Sequence, residues 1–249
     1  MLKKMVKKTL RKISGAIKYY EYLLNIPVCK GADEEYFGHF LSTLKNLPCE
    51  LSSEFGLGLV LFSLVVNTRA QNVIEIGRFR GFSTFAIASG LRFLDSGFKV
   101  PQAYCQRKWE IDYKDLHLPK KRMLYSIDPV PMEEVYELID GNRLSKYVTY
   151  IDEKSNEAKI NVLADVLFID GEHSYEACLQ DFEKYVLSYL KEGGYFILHD
   201  YYGWFGKNGE NNSPVKKICD YIIKTRRYEN ILVDTYYMSF VVFRKHTVS

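Results

Sequence analysis

The sequence predicts an α/β fold with a doubly wound, mostly parallel sheet that closes in a C-terminal antiparallel hairpin. Short apolar and β-branched runs alternate with longer runs of helical periodicity between residues 72 and 225, which is the pattern of repeated strand–helix units. The first unit combines a β-branched run at residues 72–76, a glycine turn at 77–81 and a helical run at 83–93. Such sheets bind ligands at the carboxyl ends of their strands, so the residues that follow each strand are the candidate functional residues.

The later elements continue this alternation. Further strands are predicted at residues 123–127, 148–151, 166–169 and 195–198, and further helices at 132–140, 176–190 and 215–225. The run 166–169 is apolar at every position, which predicts a central strand. Gly193 and Gly194 are expected to end the helix before the last parallel strand. Residues 231–235 and 238–243 are expected to form the closing hairpin.

The composition is that of a folded protein with a full apolar core. The chain has 249 residues, of which 47% are apolar, and a net charge of +3. So small a charge gives no indication of nucleic-acid binding. The five cysteines form no CxxC pair, and no apolar run approaches the roughly 20 residues that span a bilayer. We therefore expect a cytoplasmic protein with reduced thiols.

Two segments lie outside the strand–helix alternation. We expect residues 1–50 to form an N-terminal helical extension and residues 51–249 to form the ligand-binding domain, with an insertion at 95–121. Residues 1–18 contain seven basic residues, no acid and one apolar helical face. Three interpretations are open for this basic amphipathic helix: docking on the domain, peripheral contact with an anionic membrane, and oligomer contact.

The strongest motif is E-I-G-R-F-R-G-F-S-T, at residues 75–84. Gly77 and Gly81 permit a tight turn and the close approach of a ligand, Ser83 can cap the following helix, and Glu75 can hold a cationic ligand group. The glycines are four residues apart, so the motif is not the GxGxxG dinucleotide fingerprint. Asp128 ends the second strand, where a carboxylate can accept hydrogen bonds from both hydroxyls of a ribose. Together these features predict a ribose-bearing cofactor, with turn formation alone as the alternative.

Two further motifs follow the fourth and fifth strands. The first, L-F-I-D-G-E-H-S-Y-E at residues 167–176, carries Asp170, Glu172 and His173 just after a buried strand. The second, G-G-Y-F-I-L-H-D-Y at residues 193–201, ends in His199 and Asp200. Both lie where a doubly wound sheet binds its ligand.

These motifs resemble those of class I S-adenosylmethionine-dependent methyltransferases, which have a Rossmann-like sheet. The glycine motif is similar to that of the catechol and caffeoyl-CoA O-methyltransferases. The other two are similar to segments of bacterial small-molecule O-methyltransferases and cephalosporin hydroxylase-like proteins. The matching motifs run from about residue 70 to 202. The resemblance implies S-adenosyl-L-methionine as the cofactor, contacted by Glu75, Gly77, Gly81, Ser83, Asp128, Asp152 and Asp170.

The resemblance also implies a candidate divalent metal site. In metal-dependent relatives, a carboxylate after the fourth strand and an acidic pair after the fifth bind magnesium; by position, the ligands here are Asp170, His199 and Asp200. His199 stands where those enzymes usually have a carboxylate. Because magnesium prefers oxygen ligands, a softer ion such as manganese, iron or zinc suits this set better. The alternative is a hydrogen-bonding role for His199 and a loop-capping role for Asp170.

Two residues are candidates for the catalytic base that a hydroxyl acceptor requires. His173 has an intrinsic pKa suited to proton transfer near neutral pH, and it lies three residues after the metal aspartate, where the catechol enzymes have a lysine. Glu172 matches the acidic base proposed for sugar-modifying relatives. We favour His173, with Glu172 and a purely structural role for His173 as the alternatives.

The function that these residues favour is O-methylation of a small hydroxylated metabolite, either a sugar or a phenolic compound. A non-catalytic S-adenosylmethionine-binding scaffold and a hydroxylase-like relative with the same pocket are the alternatives. Several aromatic residues in the insertion and after the last motif are candidates for an acceptor lid, with ordinary packing as the alternative: Tyr104, Trp109, Tyr113, Trp204 and Phe205.

Overall fold

The computed structural model describes residues 32–47, 54–95, 121–203, 213–234 and 239–246. The chain divides into two units, Met1–His39 with Lys99–Trp109, and Phe40–Phe98 with Glu110–Ser249. All described strands belong to the second unit. The basic segment 1–18, nearly all of the insertion 95–121 and the candidate lid aromatics lie outside the described residues. The predicted domain boundaries therefore stay a prediction.

A seven-stranded sheet forms the centre of the second unit as far as the structure describes it. Its strands in chain order are β1 (Asn72–Ile76), β2 (Met123–Ile127), β3 (Val148–Ile151), β4 (Ala164–Ile169), β5 (Leu190–His199), β6 (Tyr228–Asp234) and β7 (Ser239–Lys245). Their spatial order is β3-β2-β1-β4-β5-β7-β6. The strands from β3 to β5 pair in parallel, while β7 is antiparallel to both β5 and β6. The predicted fold class is confirmed.

Helices connect these strands as the alternating pattern predicts. In chain order they are α1 (Ala32–Asn46), α2 (Glu54–Thr68), α3 (Phe82–Asp95), α4 (Glu133–Gly141), α5 (Tyr175–Asp181) and α6 (Pro214–Lys224). α1 packs on α2 through Phe40, whose ring stacks on Phe62 with centroids 4.4 Å apart. None of the helices in the described ranges is long and apolar enough to cross a membrane.

The two central strands are buried on both faces, and most of their side chains are apolar. β1 is buried from Val73 onward, and β4 is buried at five of its six positions. These strands pair with each other, and the strand order reverses between them: β2 and β3 lie on the β1 side, β5 on the β4 side. The carboxyl ends of β1 and β4 therefore form the switch point at which doubly wound sheets bind ligands.

The predicted break at Gly193 and Gly194 is wrong, because β5 begins earlier, at Leu190. A bulge accommodates both glycines: Leu190 pairs with Ala164, and pairing resumes only at Tyr195 with Val166. A Cβ on Gly194 would lie 2.9 Å from the Lys191 carbonyl oxygen and 3.1 Å from that of Asp165. The pair thus keeps the chain in the sheet where a side chain would not fit.

The helix before β5 also differs from the prediction of one regular α-helix. After α5 the chain continues as a π-helical segment, Phe182–Val186, and ends in a short α-helical turn, Leu187–Tyr189. The segment begins immediately after Asp181, a carboxylate whose residue is only 2% exposed. Such π-helical turns are frequent beside functional sites.

Candidate functional site

The glycine turn after β1 lies against the end of β4. Gly77 and Gly81 have φ angles of 83° and 81°, in the left-handed region that glycine adopts without strain. A Cβ on Gly77 would lie 2.1 Å from the carbonyl oxygen of Asp170. The glycine motif (75–84) and the motif at 167–176 are therefore in direct backbone contact at the switch point.

Glu75 is enclosed beneath this turn. Its Oε1 accepts a hydrogen bond from Ser83 Oγ at 2.6 Å, and its Oε2 accepts from Thr84 Oγ1 at 2.7 Å and from Ser126 Oγ at 2.6 Å. The residue is fully buried, and burial raises the pKa of its carboxyl group. The Glu75 carboxylate thus connects the start of α3 to β1 and β2. The Ser83 hydroxyl, which the sequence predicted as a helix cap, donates to Glu75.

Asp128 holds the turn from the adjacent strand. Its Oδ2 accepts hydrogen bonds from the backbone N–H groups of Arg78 at 3.0 Å and Phe79 at 3.2 Å. Its Oδ1 accepts from the N–H of Val130 at 2.8 Å. The predicted ribose-binding carboxylate therefore also shapes the glycine loop. Asp152, after β3, forms an ion pair with the Arg78 guanidinium.

Four ionisable residues converge at the ends of β4 and β5. Asp170 Oδ1 lies 3.2 Å from His173 Nε2 and 3.1 Å from His199 Nδ1. On its other side, His173 Nδ1 lies 3.6 Å from Asp200 Oδ2. Asp200 has a φ of 58°, so the chain turns sharply just after β5. The predicted metal ligands Asp170, His199 and Asp200 are thus brought together, and the predicted base is brought among them.

The charges of this cluster depend on one another. Burial would raise the pKa of Asp170, but the nearby imidazoles of His199 and His173 outweigh it and lower that pKa to about 2. The hydrogen bond that the His173 imidazole donates to Asp170 raises the pKa of His173, against the opposing effect of burial. Burial raises the pKa of Asp200. The cluster therefore combines an ionised Asp170 with an imidazole of increased basicity.

Glu172, the second candidate base, has a different environment. It is exposed, and its Oε1 accepts a hydrogen bond from Ser174 Oγ at 2.9 Å. Ser174 also caps α5 by accepting a hydrogen bond from the N–H of Ala177 at 3.2 Å. Of the two candidate bases, His173 is the one that contacts Asp170.

A divalent ion would find three ligand atoms here. Asp170, His173 and Asp200 each offer one such atom, all within 4.8 Å of one another. This grouping includes His173, whereas the sequence prediction used His199. Two carboxylates and one imidazole fit a divalent ion softer than magnesium.

Sequence reasoning missed two residues of this region. Arg78 lies inside the glycine motif, but a charged residue in a turn is ordinarily expected to be exposed, whereas it is 1% exposed. Asp181 lies one residue before the π-helical segment and faces Gly171: a Cβ there would lie 3.6 Å from Asp181 Oδ2. The helical pattern of residues 176–190 offered a signal for Asp181, because the residue lies on the same face as the apolar Cys178 and Phe182.

Comparison with known proteins decides the family. A family model described as a methyltransferase domain matches residues 74–201, which include the glycine turn, Asp128 and the four-residue cluster. The chain belongs to this methyltransferase family. The resemblance to class I methyltransferases is confirmed, and the matched range ends at Tyr201, just past Asp200.

Solved structures of methyltransferases share the fold. An O-methyltransferase from Bacillus cereus in complex with S-adenosylhomocysteine is 16% identical, with a TM-score of 0.54 and coverage of 90% of this chain and 96% of that one. The S-adenosylhomocysteine-bound methyltransferase PaMTH1 from Podospora anserina is 13% identical, with a TM-score of 0.56 and coverage of 93% and 96%. The O-methyltransferase TomG from Streptomyces achromogenes, in complex with S-adenosylmethionine, gives the same identity, TM-score and coverage.

A curated relative matches a short segment of this methyltransferase. The uncharacterized protein R132 of Acanthamoeba polyphaga mimivirus is 45% identical over 42 residues. The match covers 16% of this chain and 19% of that protein. The chain therefore aligns with about a fifth of the length of that relative.

Proposed function

We propose that this methyltransferase binds S-adenosyl-L-methionine at the glycine turn and transfers its methyl group to a hydroxyl oxygen of a small metabolite, a sugar or a phenolic compound. The observation that carries the proposal is the contact between His173 and Asp170 at the switch point, 3.2 Å from nitrogen to oxygen. S-adenosylmethionine and S-adenosylhomocysteine are the ligands of TomG and PaMTH1, which share the fold.

The cofactor contacts proposed here are those of the glycine turn and its neighbours. Gly77 and Gly81 leave room for the backbone to approach a ligand, and Asp128 and Asp152 stand after β2 and β3 on the side of the switch point that suits an adenosine. Glu75 and Ser83 act through the shape of the turn, because both are buried against each other. Asp170 borders the turn through its carbonyl group.

His173 takes the proton from the acceptor hydroxyl in the proposed reaction. Its Nε2–H donates to Asp170, which leaves the Nδ1 lone pair available to accept a proton. Asp170 stabilises the resulting imidazolium, and Asp200, 3.6 Å from Nδ1, adds to that stabilisation. The hydroxyl oxygen forms the new bond to the methyl carbon as the carbon–sulfur bond of the donor breaks.

A divalent ion held by Asp170 and Asp200 would supply Lewis-acid stabilisation of the acceptor's oxygen. His173 or His199 completes the set. If the ion takes His173, that imidazole is no longer available as a base, so the metal and base roles of His173 exclude each other.

Calorimetry with S-adenosylmethionine and S-adenosylhomocysteine tests the cofactor assignment, and absence of binding at high micromolar concentration would overturn it. Turnover is then followed as S-adenosylhomocysteine release with panels of phenols and sugars. We expect His173→Ala to lower kcat by about 100-fold or more and to leave S-adenosylhomocysteine affinity within a few-fold of wild type. Glu172→Gln is the matched control, with kcat expected to stay within a few-fold. If Glu172→Gln has the larger effect, the base assignment is wrong.

A further inference from the structure

Arg78 is a buried cation at the tip of an otherwise exposed turn. It lies between Gly77 and Gly81, its side chain is 0% exposed, and Arg80, two residues later, is half exposed. The turn therefore directs one of its two arginines inward, towards the ends of β2 and β3.

The Arg78 guanidinium connects the ends of three neighbouring strands. Its first terminal nitrogen donates to the carbonyl oxygen of Ser126 at 3.0 Å. The second donates to the carbonyl oxygen of Asp128 at 3.4 Å and forms the ion pair with Asp152. Arg78 itself follows β1, while its partners belong to β2 and to the loop after β3.

Two tyrosine rings enclose the same group. The guanidinium carbon lies 5.3 Å from the ring centre of Tyr150 and 6.0 Å from that of Tyr136. The rings pack edge to face with centroids 4.6 Å apart. Aromatic faces of this kind stabilise a cation and fix the plane of a guanidinium group.

A gain in stability does not explain why the Arg78 guanidinium is buried with Asp152. Burying an ion pair is often no better for stability than well-packed apolar residues, and Arg78 Nε finds no acceptor among the described residues. The arrangement does, however, orient a carboxylate. Asp152 Oδ1 is held by Arg78, and the Asp152 side chain remains 44% exposed.

Asp128 and Asp152 differ in the hydrogen-bonding capacity that they retain. The Asp128 carboxylate already accepts three backbone N–H groups, whereas Asp152 Oδ2 makes, among the described residues, only a long contact with Tyr136, at 3.4 Å from the hydroxyl. Asp152 follows β3, one strand beyond Asp128. If the ribose lies at Asp128, the attached base extends towards Asp152, where an accepting carboxylate matches an exocyclic amine.

We propose that Arg78 is a positioning residue for base recognition: by holding Asp152 Oδ1 it aims Asp152 Oδ2 at the exocyclic amine of the cofactor's adenine. This inference rests on the proposed binding of S-adenosylmethionine. It assigns to the turn a second role, selection of an amino-substituted purine, beside its contact with the cofactor.

The test compares the dissociation constants of S-adenosylhomocysteine and S-inosylhomocysteine, which carries a carbonyl oxygen in place of the amine. We expect the wild type to prefer the adenosyl ligand by about 10- to 100-fold, as for a hydrogen bond to a charged group. Arg78→Met should reduce this ratio to within about threefold of unity, and Asp152→Asn should reduce it equally. The double variant should reduce it no further, because Arg78 acts through Asp152.

Arg122→Met is the matched control. Arg122 is another largely buried arginine with an acidic partner, Asp95 at 3.1 Å, but it lies at the start of β2, at the opposite edge of the sheet. We expect this variant to be less stable yet to keep the wild-type ratio. A ratio that Arg78→Met or Asp152→Asn leaves unchanged, or a wild-type ratio near unity, overturns the inference. Failure of the wild type to bind S-adenosylhomocysteine overturns the proposed function instead.

Asp152→Asn lies on the exposed side of the ion pair and tests the carboxylate alone. If Arg78→Met does not fold, Arg78→Lys tests the arginine, and an unchanged ratio in that variant overturns the inference. Arg78→Lys keeps the charge but loses the planar fork, and we expect it to retain part of the ratio. The ratio of two ligands measured on one variant is unaffected by a general loss of stability, which a merely structural role would produce.

Discussion

Gly77 and Asp170 meet backbone to backbone: a Cβ on Gly77 would lie 2.1 Å from the Asp170 carbonyl oxygen. Two hydrogen bonds fasten the contact from either side, from Gly77 N to Ile127 O at 2.9 Å and from Asp170 N to Ile76 O at 2.8 Å. The glycine turn and the proposed catalytic loop are therefore held together by backbone contacts.

Replacing Gly77 with alanine should disrupt this assembly. The substitution adds a methyl group against backbone atoms and forces alanine to a φ of 83°. We expect the free energy of unfolding to fall by about 3 kcal/mol or more. Chemical denaturation measures it, and Gly56→Ala is the control, since its site in α2 is open and helix propensity should raise stability by up to about 1 kcal/mol. Equal stability of Gly77→Ala and wild type would contradict the contact.

The Glu75→Gln variant tests whether Glu75 contacts the ligand directly or affects binding only through the shape of the turn. Because three hydroxyl groups enclose the carboxylate, we expect the variant to weaken S-adenosylhomocysteine and 5′-methylthioadenosine by the same factor. The free energy of unfolding should fall by about 1–2 kcal/mol, since an amide replaces a charged acceptor. Calorimetry with both ligands measures the factors. A selective loss for S-adenosylhomocysteine, which carries the amino-acid ammonium group, would mean that Glu75 contacts that group.

The four-residue cluster should bind manganese(II). We expect Asp170→Asn to weaken binding at least tenfold, since Asp170 lies within reach of both imidazoles. If His173 is the base, as proposed, His199 completes the ligand set, and His199→Ala should weaken manganese binding more than His173→Ala. The reverse order would assign His173 to the ion instead of to proton transfer. Electron paramagnetic resonance of free manganese measures the affinity without any turnover.

Asp165→Asn is the matched control for manganese binding. It changes an aspartate at the other end of β4, whose carboxylate accepts from the N–H groups of Gln71 and Asn72. We expect its manganese affinity to equal that of the wild type. Binding that survives Asp170→Asn would show that the ion lies elsewhere.

Asp181 should make stability depend on pH. Burial raises the pKa of its carboxyl group from 3.8 to about 6. A raised folded-state pKa means that the folded state binds the proton more tightly, so the carboxyl group favours folding below about pH 4. This advantage disappears as the pH rises through 6.

Asp181→Asn removes that dependence. At pH 7.5 we expect the variant to be more stable than the wild type, by up to about 3 kcal/mol, with the difference vanishing near pH 4. Unfolding in urea at several pH values measures the difference. A difference that stays constant between pH 4 and 8 would show that Asp181 does not titrate in this range.

Local pattern was enough to predict the sheet and the residues at its strand ends. Strands 123–127 and 148–151 are observed with the predicted bounds, and β4 is central, because alternation and apolar runs are properties of the chain itself. The approach of Asp170, His199 and Asp200 follows from the same logic, since β4 and β5 are parallel neighbours.

The features that the sequence did not predict depend on contacts between residues far apart in the chain, which a local sequence pattern does not reveal. Whether Arg78 turns inward depends on Asp152, 74 residues later in the chain. The early start of β5 depends on its pairing with β4, where Leu190 lies opposite Ala164. In both cases a distant partner outweighs the ordinary preference of a charged or glycine residue for an exposed turn.

The position of His173 between Asp170 and Asp200 has a consequence for the balance of charge. In the proposed reaction the donor loses the positive charge of its sulfonium group while the imidazole gains one, so the total charge of the reacting groups stays constant. The charge that forms on His173 lies between two carboxylates, 3.2 Å from Asp170 and 3.6 Å from Asp200. Both carboxylates are in place before the transfer, so they stabilise the imidazolium without a rearrangement of the protein.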